Sequence, residues 1–152
     1  MKRRKTARVE RVTPAGEGHQ VLTLRGGGPG YQKRPCAQCP WRVDATGVFP
    51  PEAFLASAHT SYDAALEGFA CHSSVQIVDA AEGEERTAPR TCAGFILRGA
   101  THNMASRLRQ IIHGRYVVRD GGHELHANYR AMAVANGVPA GHPQLVACRD
   151  DV

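Results

Sequence analysis

The spacing of apolar residues predicts short helices in the second half of the chain. Pro50 and Pro51 precede the stretch EAFLASAH, and a proline followed by an acid in the first turn is typical of a helix start. From Cys92 to His113 apolar residues recur at mostly helical spacing, and Gly99 divides this pattern into two predicted helices. Residues 61–69 predict a further short helix, and residues 123–137 predict an amphipathic one.

Strand patterns are weaker and lie mainly near the beginning of the chain. Residues 8–12 and 19–24 carry alternating or β-branched side chains on either side of a turn-rich stretch, which predicts a hairpin. Residues 25–35 follow with four glycines and two prolines, which predicts a flexible link. Residues 81–90 are polar and predict a loop, and residues 115–122 predict a short strand and a turn.

These elements predict a small, helix-rich α+β domain with a basic N-terminal arm. We assign residues 1–34 to the arm, its hairpin and its glycine-rich link, and residues 35–148 to the compact domain. Aromatic residues make up only 6% of the chain, so the core has few large side chains to bury. Stabilisation by a covalent cross-link or a bound metal is therefore more to be expected here than in a domain rich in leucine and phenylalanine.

The sequence gives no indication of a secreted or membrane-bound protein. Its apolar runs are all shorter than the ~20 residues that cross a bilayer. The basic start MKRRKTARVERV has no apolar stretch behind it, so it does not predict a secretion signal. We therefore expect a cytoplasmic protein with reduced cysteines and without a membrane partner.

Positive charge is concentrated in the first residues of the chain. The whole sequence has 19 Lys and Arg against 14 Asp and Glu, a formal net charge of +5. Its first eleven residues contain one acid, Glu10, and six cations, which are Lys2, Arg3, Arg4, Lys5, Arg8 and Arg11. Such an arm suits a nucleic-acid backbone or an acidic protein surface, because neutralising phosphates releases their counterions. The same composition also suits a solvated terminus that aids solubility.

Two of the five cysteines, Cys36 and Cys39, have the Cys-x-x-Cys spacing that lets both sulfurs face one point. This pair supplies half of a tetrahedral metal site, and the candidates for the other half are Cys71, Cys92, Cys148 and His72. Cys92 opens a predicted helix, whose N-terminal dipole favours a thiolate. We predict a site of Cys36, Cys39, Cys71 and Cys92, with Cys148 outside it. On spacing alone, Cys71 and Cys92 also fit the description of small buried apolar residues.

Catalytic arrangements of these residues have less support. A dithiol oxidoreductase would place the Cys-x-x-Cys pair at a helix start after a strand, but glycine-rich sequence precedes it. Cys71 and His72 are adjacent, so on an extended backbone they point to opposite sides and do not form a nucleophile and its base. His123 and His126 fall on a predicted helix with Glu124 between them, but not in the His-Glu-x-x-His order of zinc hydrolases. The sequence favours a binding protein over an enzyme.

Four segments of the chain resemble a small uncharacterised family of bacterial and phage proteins. These segments are PCAQCPWR at 35–42, TGVF at 46–49, FACH at 69–72 and CAGF at 92–95. The resemblance covers about residues 35–110, and it leaves out the basic arm and Cys148. It implies that the four predicted ligands act together as one site, and it implies no particular function.

Four thiolates can hold either Zn²⁺ or a [4Fe–4S] cluster. Zinc is the commoner choice in a small domain with long loops between its ligands, whereas Trp41 would supply the apolar cover that a cluster needs. His72 would replace one thiolate as a ligand or donate to a sulfur, and Arg42 would offset negative charge.

We therefore predict a zinc-stabilised binding protein, with an iron–sulfur protein in redox sensing or electron transfer as the alternative. In the first case, the partner is nucleic acid or an acidic protein. It is contacted by the arm and by a second set of cations, Arg98, Arg107, Arg109 and Arg115.

Overall fold

The computed structural model describes residues 6–26, 28–74, 77–79 and 85–148. Its strands are β1 (Thr6–Pro14), β2 (Gln20–Gly26), β3 (Ile77–Asp79) and β4 (Glu85–Thr87). Its helices are α1 (Pro51–Ser57), α2 (Ala93–Arg98), α3 (Met104–His113), α4 (Tyr129–Ala135) and α5 (Pro143–Val146). The predicted α+β class is confirmed. No helix in the described ranges is long and apolar enough to span a membrane.

The four strands form one antiparallel sheet in the order β2-β1-β4-β3. Strand β1 lies inside this sheet, since Ala7 is paired with Gly26 of β2 on one side and with Arg86 of β4 on the other. Ala7 is buried. The loop predicted at 81–90 is wrong for residues 85–87, because pairing with the distant β1 makes them a strand. The basic N-terminal stretch thus leads directly into a sheet that reaches the middle of the chain.

The core is centred on Trp41, which is completely buried. Its ring centroid lies 5.7 Å from that of Tyr129, 6.0 Å from that of Phe69 and 6.3 Å from that of Phe95. These contacts are edge-on or tilted, which is the favourable geometry for aromatic pairs. Tyr129 also donates a hydrogen bond to the Phe54 carbonyl at 2.8 Å. Four of the nine aromatic residues of the sequence, Trp41 included, are therefore gathered at this one indole.

Helix α2 approaches Trp41 through two glycines. A Cβ atom on Gly94 would lie 2.4 Å from Trp41 Cβ, and one on Gly99 would lie 2.4 Å from Trp41 Cη2. Real side chains do not tolerate such separations, so the indole fits only because both positions lack a side chain. The break between the helices at Gly99 is as predicted, but its cause is packing as well as propensity.

Buried Asn103 fastens α3 to the segment before it. Its side-chain oxygen accepts a hydrogen bond from the Ser106 amide, which caps α3, and its Nδ2 donates to the carbonyls of Thr60 and Glu67, each at 2.8 Å. The Met104 amide donates to the Ala65 carbonyl at 2.8 Å. Residues 62–69 are held against α3 in a non-helical conformation, so the helix predicted at 61–69 is wrong.

The helix predicted at 123–137 is wrong in its first half. Residues 124–126 instead lie alongside residues 41–43. The Val43 amide donates to the Glu124 carbonyl at 3.0 Å, and the His126 amide donates to the Trp41 carbonyl at 2.9 Å. Helix α4 starts only after Asn128, whose side chain caps it. Residues 115–122 are all described and form no strand, so that part of the prediction is wrong, whereas the predicted turn is present at Gly121 and Gly122.

We expect Gly94→Ala to lower the free energy of unfolding by about 1–3 kcal/mol or more, because its methyl group overlaps the Trp41 side chain. Gly141→Ala is the matched control, since a Cβ there meets no atom within 4 Å. It should change stability by less than about 0.5 kcal/mol. Urea unfolding of both variants measures the difference. Equal stability of Gly94→Ala and the wild type would show that the contact with Trp41 is not tight.

Candidate metal centre

The Cys-x-x-Cys segment folds as two successive turns. The Cys39 amide donates to the Cys36 carbonyl at 3.2 Å, and the Arg42 amide donates to the Cys39 carbonyl at 3.0 Å. Cys39 is buried, whereas Cys36 is partly exposed. Trp41 follows two residues after Cys39, so this segment is anchored by its own aromatic side chain in the core.

Cys71 and Cys92 lie on neighbouring extended segments. The Cys71 amide donates to the Arg90 carbonyl at 2.7 Å, and the Cys92 amide donates to the Phe69 carbonyl at 2.9 Å. Tyr31 lies on the other side, bridged in parallel to Thr91. Three segments that are distant in sequence therefore hold these two buried cysteines in a fixed relation.

The structure brings the four predicted ligands into one region. The sulfurs of Cys39 and Cys92, which are 53 residues apart in sequence, lie 3.6 Å apart. Cys36 interacts electrostatically with Cys71 and Cys39, and Cys92 interacts with Cys39 and Cys71. All of these thiols are free. Cys148 is elsewhere in the core, where its thiol donates to the Ala58 carbonyl at 3.6 Å.

The cluster is looser than a closed ligand set. Within the described ranges, no group of three or more His, Cys, Asp or Glu side chains stands in an arrangement that could hold a metal ion. Cys39 and Cys92 contact each other, but Cys71 Sγ faces Ser73 Oγ at 3.0 Å and Gln32 Nε2 at 3.5 Å. Cys36 Sγ faces His72 Nε2 at 3.4 Å.

The protein groups around the cluster favour one thiolate, at Cys39. A hydrogen bond from the Cys92 thiol, helped by backbone amides that include that of Trp41, lowers the pKa of Cys39 to about 7. The same hydrogen bond, together with burial, raises the pKa of Cys92 well above its usual value. Burial and the charges of Cys71 and Cys39 raise the pKa of Cys36 to about 11. A thiolate at Cys36 or Cys92 would therefore need further positive charge close to it.

His72 lies at the exposed edge of the cluster, beside Cys36. Its Nε2 is 3.2 Å from the Gln38 carbonyl oxygen and 3.4 Å from Cys36 Sγ. A carbonyl oxygen only accepts hydrogen bonds, so in this contact Nε2 carries the proton, and Cys36 Sγ lies close to the same N–H. The His72 ring also packs edge-on against Phe49, at 5.3 Å between centroids. This arrangement suits a donor to sulfur better than a metal ligand.

Arg42 lies on the other side of Cys36. Its Nη1 donates to the Cys36 carbonyl at 3.2 Å, and its Nε donates to Asp44 at 2.8 Å. The pKa of Arg42 is raised, first by its hydrogen bond to Asp44 and to a smaller extent by the charges of Cys39 and Cys36. Its positive charge is thus shared between a carboxylate and the cysteine cluster.

Sequence patterns did not identify Gln32 and Ser73, the two polar side chains that contact Cys71. Gln32 lies in the glycine-rich link, 39 residues away from Cys71, and no local pattern connects them. Ser73 is two residues from Cys71, a position at which serine is too common to be a signal. Of the two glycines that admit Trp41, the sequence marked Gly99 only as a helix break and Gly94 only as part of the CAGF segment.

His123 and His126 do not form the pair on one helical face that the sequence predicted. Both precede α4, because residues 124–126 pair with the Trp41 segment. His126 is buried with Nε2 3.2 Å from Thr46 Oγ1, and burial lowers its pKa. The predicted placement of these two histidines on a helix is therefore wrong.

The predicted partner-binding residues are mostly beyond the described part of the chain. Lys2, Arg3, Arg4 and Lys5 lie outside it. Arg8 is exposed on β1. The structure thus shows only where such an arm would be attached, at the start of an internal strand of the sheet.

Fold and site together define a small α+β protein with a cluster of cysteines beside an aromatic core. Residues 31–149 match a family of unknown function (DUF6283), and the chain belongs to this family. Comparisons with curated proteins and with solved structures gave no match. The matched range contains all five cysteines and begins at Tyr31, after the hairpin of β1 and β2.

Proposed function

We propose that this chain is a small zinc-stabilised binding protein of bacterial or phage origin, whose basic arm contacts a nucleic-acid backbone. The proposal rests on one observation above all, the contact of 3.6 Å between the sulfurs of Cys39 and Cys92. These cysteines come from separate motifs, and the charges of Cys36 and Cys71 interact with the same pair. A cation at this point would contact the sulfurs of Cys39 and Cys92, and Cys36 and Cys71 would have to move closer to complete a set of four ligands.

The spacing of these sulfurs fits a single ion better than a cluster. Zinc–sulfur bonds of about 2.3 Å in a tetrahedron place neighbouring sulfurs about 3.8 Å apart. The separation of 3.6 Å between Cys39 and Cys92 is close to that value. In a [4Fe–4S] cluster each thiolate binds its own iron atom, so the sulfurs lie farther apart. We therefore favour zinc and keep the iron–sulfur alternative as the outcome that metal analysis would reveal.

The electrostatics of the cluster also fit a bound dication. The protein alone holds one thiolate at Cys39, while the pKa values of Cys36 and Cys92 are raised. Bound Zn²⁺ would supply the positive charge that keeps all four cysteines deprotonated. Around it, His72, Gln32 and Ser73 present hydrogen-bond donors to the sulfurs, which is the usual surrounding of a thiolate site.

A site of four thiolates is closed and serves structure rather than catalysis. In this chain it would join the turns at Cys36 and Cys39, the extended segment at Cys71 and the start of α2 at Cys92. None of these parts is long enough to be stable alone. Metal affinity would therefore act directly as folding free energy.

The first test replaces each cysteine with serine. Serine at Cys36, Cys39, Cys71 or Cys92 should remove bound zinc and the cooperative thermal transition, because a ligand is lost and a polar atom is left in the cluster. Cys148→Ser should keep full zinc content, since this residue lies outside the cluster and serine preserves its donor. Elemental mass spectrometry and thermal melting give the two readouts.

The outcomes of that test separate the alternatives. Unchanged metal content and melting in Cys71→Ser or Cys92→Ser would contradict the four-ligand site. Iron and sulfide in the brown, freshly purified protein would replace zinc with the iron–sulfur alternative.

The second test concerns His72. If it donates to Cys36 Sγ, His72→Ala should weaken zinc binding by roughly 10–100-fold and still leave one ion per chain. His113→Ala, on the exposed end of α3, is the control and should bind zinc like the wild type. Competition with a chromophoric chelator measures the affinities. Complete loss of zinc would identify His72 as a ligand, and an unchanged affinity would remove it from the site.

The third test concerns the arm and uses a variant that keeps β1 intact. Replacing Lys2, Arg3, Arg4 and Lys5 with alanine should weaken binding to double-stranded DNA. It should also flatten the salt dependence by about 0.9 in slope for each phosphate that the arm no longer neutralises. The melting temperature should stay unchanged, because the sheet starts at Thr6. Gel shifts over a salt series measure the binding.

The control for the arm removes an ion pair without changing net charge. Arg25 and Glu10 pair at 2.7 Å on the hairpin, so their double replacement with alanine should leave DNA binding nearly unaltered. If the full chain gives no shift even at low salt, nucleic acid is not the partner, and an acidic protein surface takes its place.

A further inference from the structure

Helix α3 turns its apolar face toward solvent. Leu108, Ile111 and Ile112 lie at spacings of three and four residues, which places them on one side of the helix. Their exposed fractions are 47%, 79% and 71%. Partly buried Met104, one turn before Leu108, extends the same strip. We call Leu108, Ile111 and Ile112 the α3 strip. In an ordinary surface helix this face would be the one that packs on the core.

The opposite face of α3 is polar, and it carries the contacts that hold the helix in place. Buried Ser106 donates its amide to the Asn103 cap. Arg109 lies over the rings of Tyr31 and Tyr116, with its guanidinium carbon 4.8 and 4.5 Å from their centroids. The same side chain donates to the Pro29 carbonyl at 3.2 Å. The fold therefore does not need the α3 strip, and its aliphatic side chains are available to another molecule.

The stretch of sequence that contains the strip is basic. Residues 86–119 contain no aspartate or glutamate and seven arginines, which are Arg86, Arg90, Arg98, Arg107, Arg109, Arg115 and Arg119. Arg107 and Arg115 are both exposed; Arg107 lies on α3, one turn before Ile111, and Arg115 follows the end of the helix, directly after Gly114. A molecule that covers the strip must therefore bury the aliphatic side chains at the centre of the strip and pair with the positive charges near both of its ends.

We infer that the α3 strip is a docking surface for an acidic amphipathic segment of a partner protein. Aliphatic side chains of that segment would cover Leu108, Ile111 and Ile112, and its carboxylates would pair with Arg107 and Arg115. This is the arrangement by which amphipathic helices bind apolar surfaces, with charge complementarity setting orientation and specificity. The inference depends neither on the N-terminal arm nor on the identity of the metal.

Other occupants fit these observations less well. A second copy of the chain would bring the same arginines of both copies together, and like charges across an interface are unfavourable. A nucleic-acid backbone would pair with the arginines but leave the aliphatic side chains uncovered. A lipid surface usually binds longer helices that carry aromatic anchors, whereas α3 has ten residues and none of them is aromatic.

The test uses a fluorescein-labelled synthetic peptide with leucines at helical spacings i, i+3, i+4 and i+7 and glutamates elsewhere. Its fluorescence anisotropy should rise saturably with the full-length protein. Ile111→Glu should weaken binding at least tenfold, because it places negative charge in the strip. Arg107→Glu should also weaken binding and reduce its dependence on salt. Val146→Glu, exposed to 67% on α5, is the matched control and should bind like the wild type.

A peptide of the same composition with its leucines scattered around the helix separates docking from simple charge attraction. It should bind at least tenfold more weakly than the ordered peptide. Equal binding of the two peptides, or an Ile111→Glu variant that binds normally, would overturn the inference.

Two further measurements address the other occupants. Ile111-dependent binding to vesicles of phosphatidylglycerol and phosphatidylcholine, without peptide binding, would assign the strip to a membrane surface and overturn the inference. Ile111-dependent dimers in analytical ultracentrifugation would assign it to a second copy and overturn it equally. The melting temperature of Ile111→Glu should match the wild type, since this side chain is the most exposed of the strip.

Discussion

The rest of the structure depends on one packing contact, between the Cys-x-x-Cys turn and the start of α2. The turn contributes Cys39 and Trp41, which are two residues apart, and the helix start contributes Cys92 and Gly94, which are also two residues apart. The sulfurs meet at 3.6 Å, and the glycine leaves room for the indole. Sulfur contact and aromatic packing are thus two parts of one contact, so a metal ion at the cysteines would also fix the core.

Local sequence patterns were sufficient for the features that local physics decides. The proline pair predicted the start of α1, and the break at Gly99 separated α2 from α3. The spacing of thiols singled out only Cys36 and Cys39, and the resemblance of three separate segments to one family added Cys71 and Cys92. The failures have a common cause in contacts between distant segments. Residues 124–126 left the predicted helix to pair with the Trp41 segment, and residues 85–87 became a strand by pairing with β1. Gln32 reached Cys71 in the same way.

The family match and the sheet suggest how the chain is organised around its basic surfaces. The match begins at Tyr31, which is fastened to α3 through Arg109, while the hairpin of β1 and β2 precedes it. That hairpin is nevertheless attached to the matched region through β4. The arm is attached to β1, an internal strand of the sheet, so the position at which it begins is fixed. Helix α3 carries a second basic surface, and the apolar α3 strip lies at its centre. The two surfaces differ in chemistry, and the proposed binding role would assign a different partner to each.

X-ray absorption at the zinc edge of the freshly purified protein tests the central claim most directly, because it counts the ligands of the metal and identifies their elements. We predict four sulfur atoms at about 2.3 Å and no nitrogen or oxygen in the first coordination sphere. A nitrogen or oxygen ligand, or a protein whose absorption shows iron beside other iron atoms, would contradict the proposal that Cys36, Cys39, Cys71 and Cys92 close around one zinc ion.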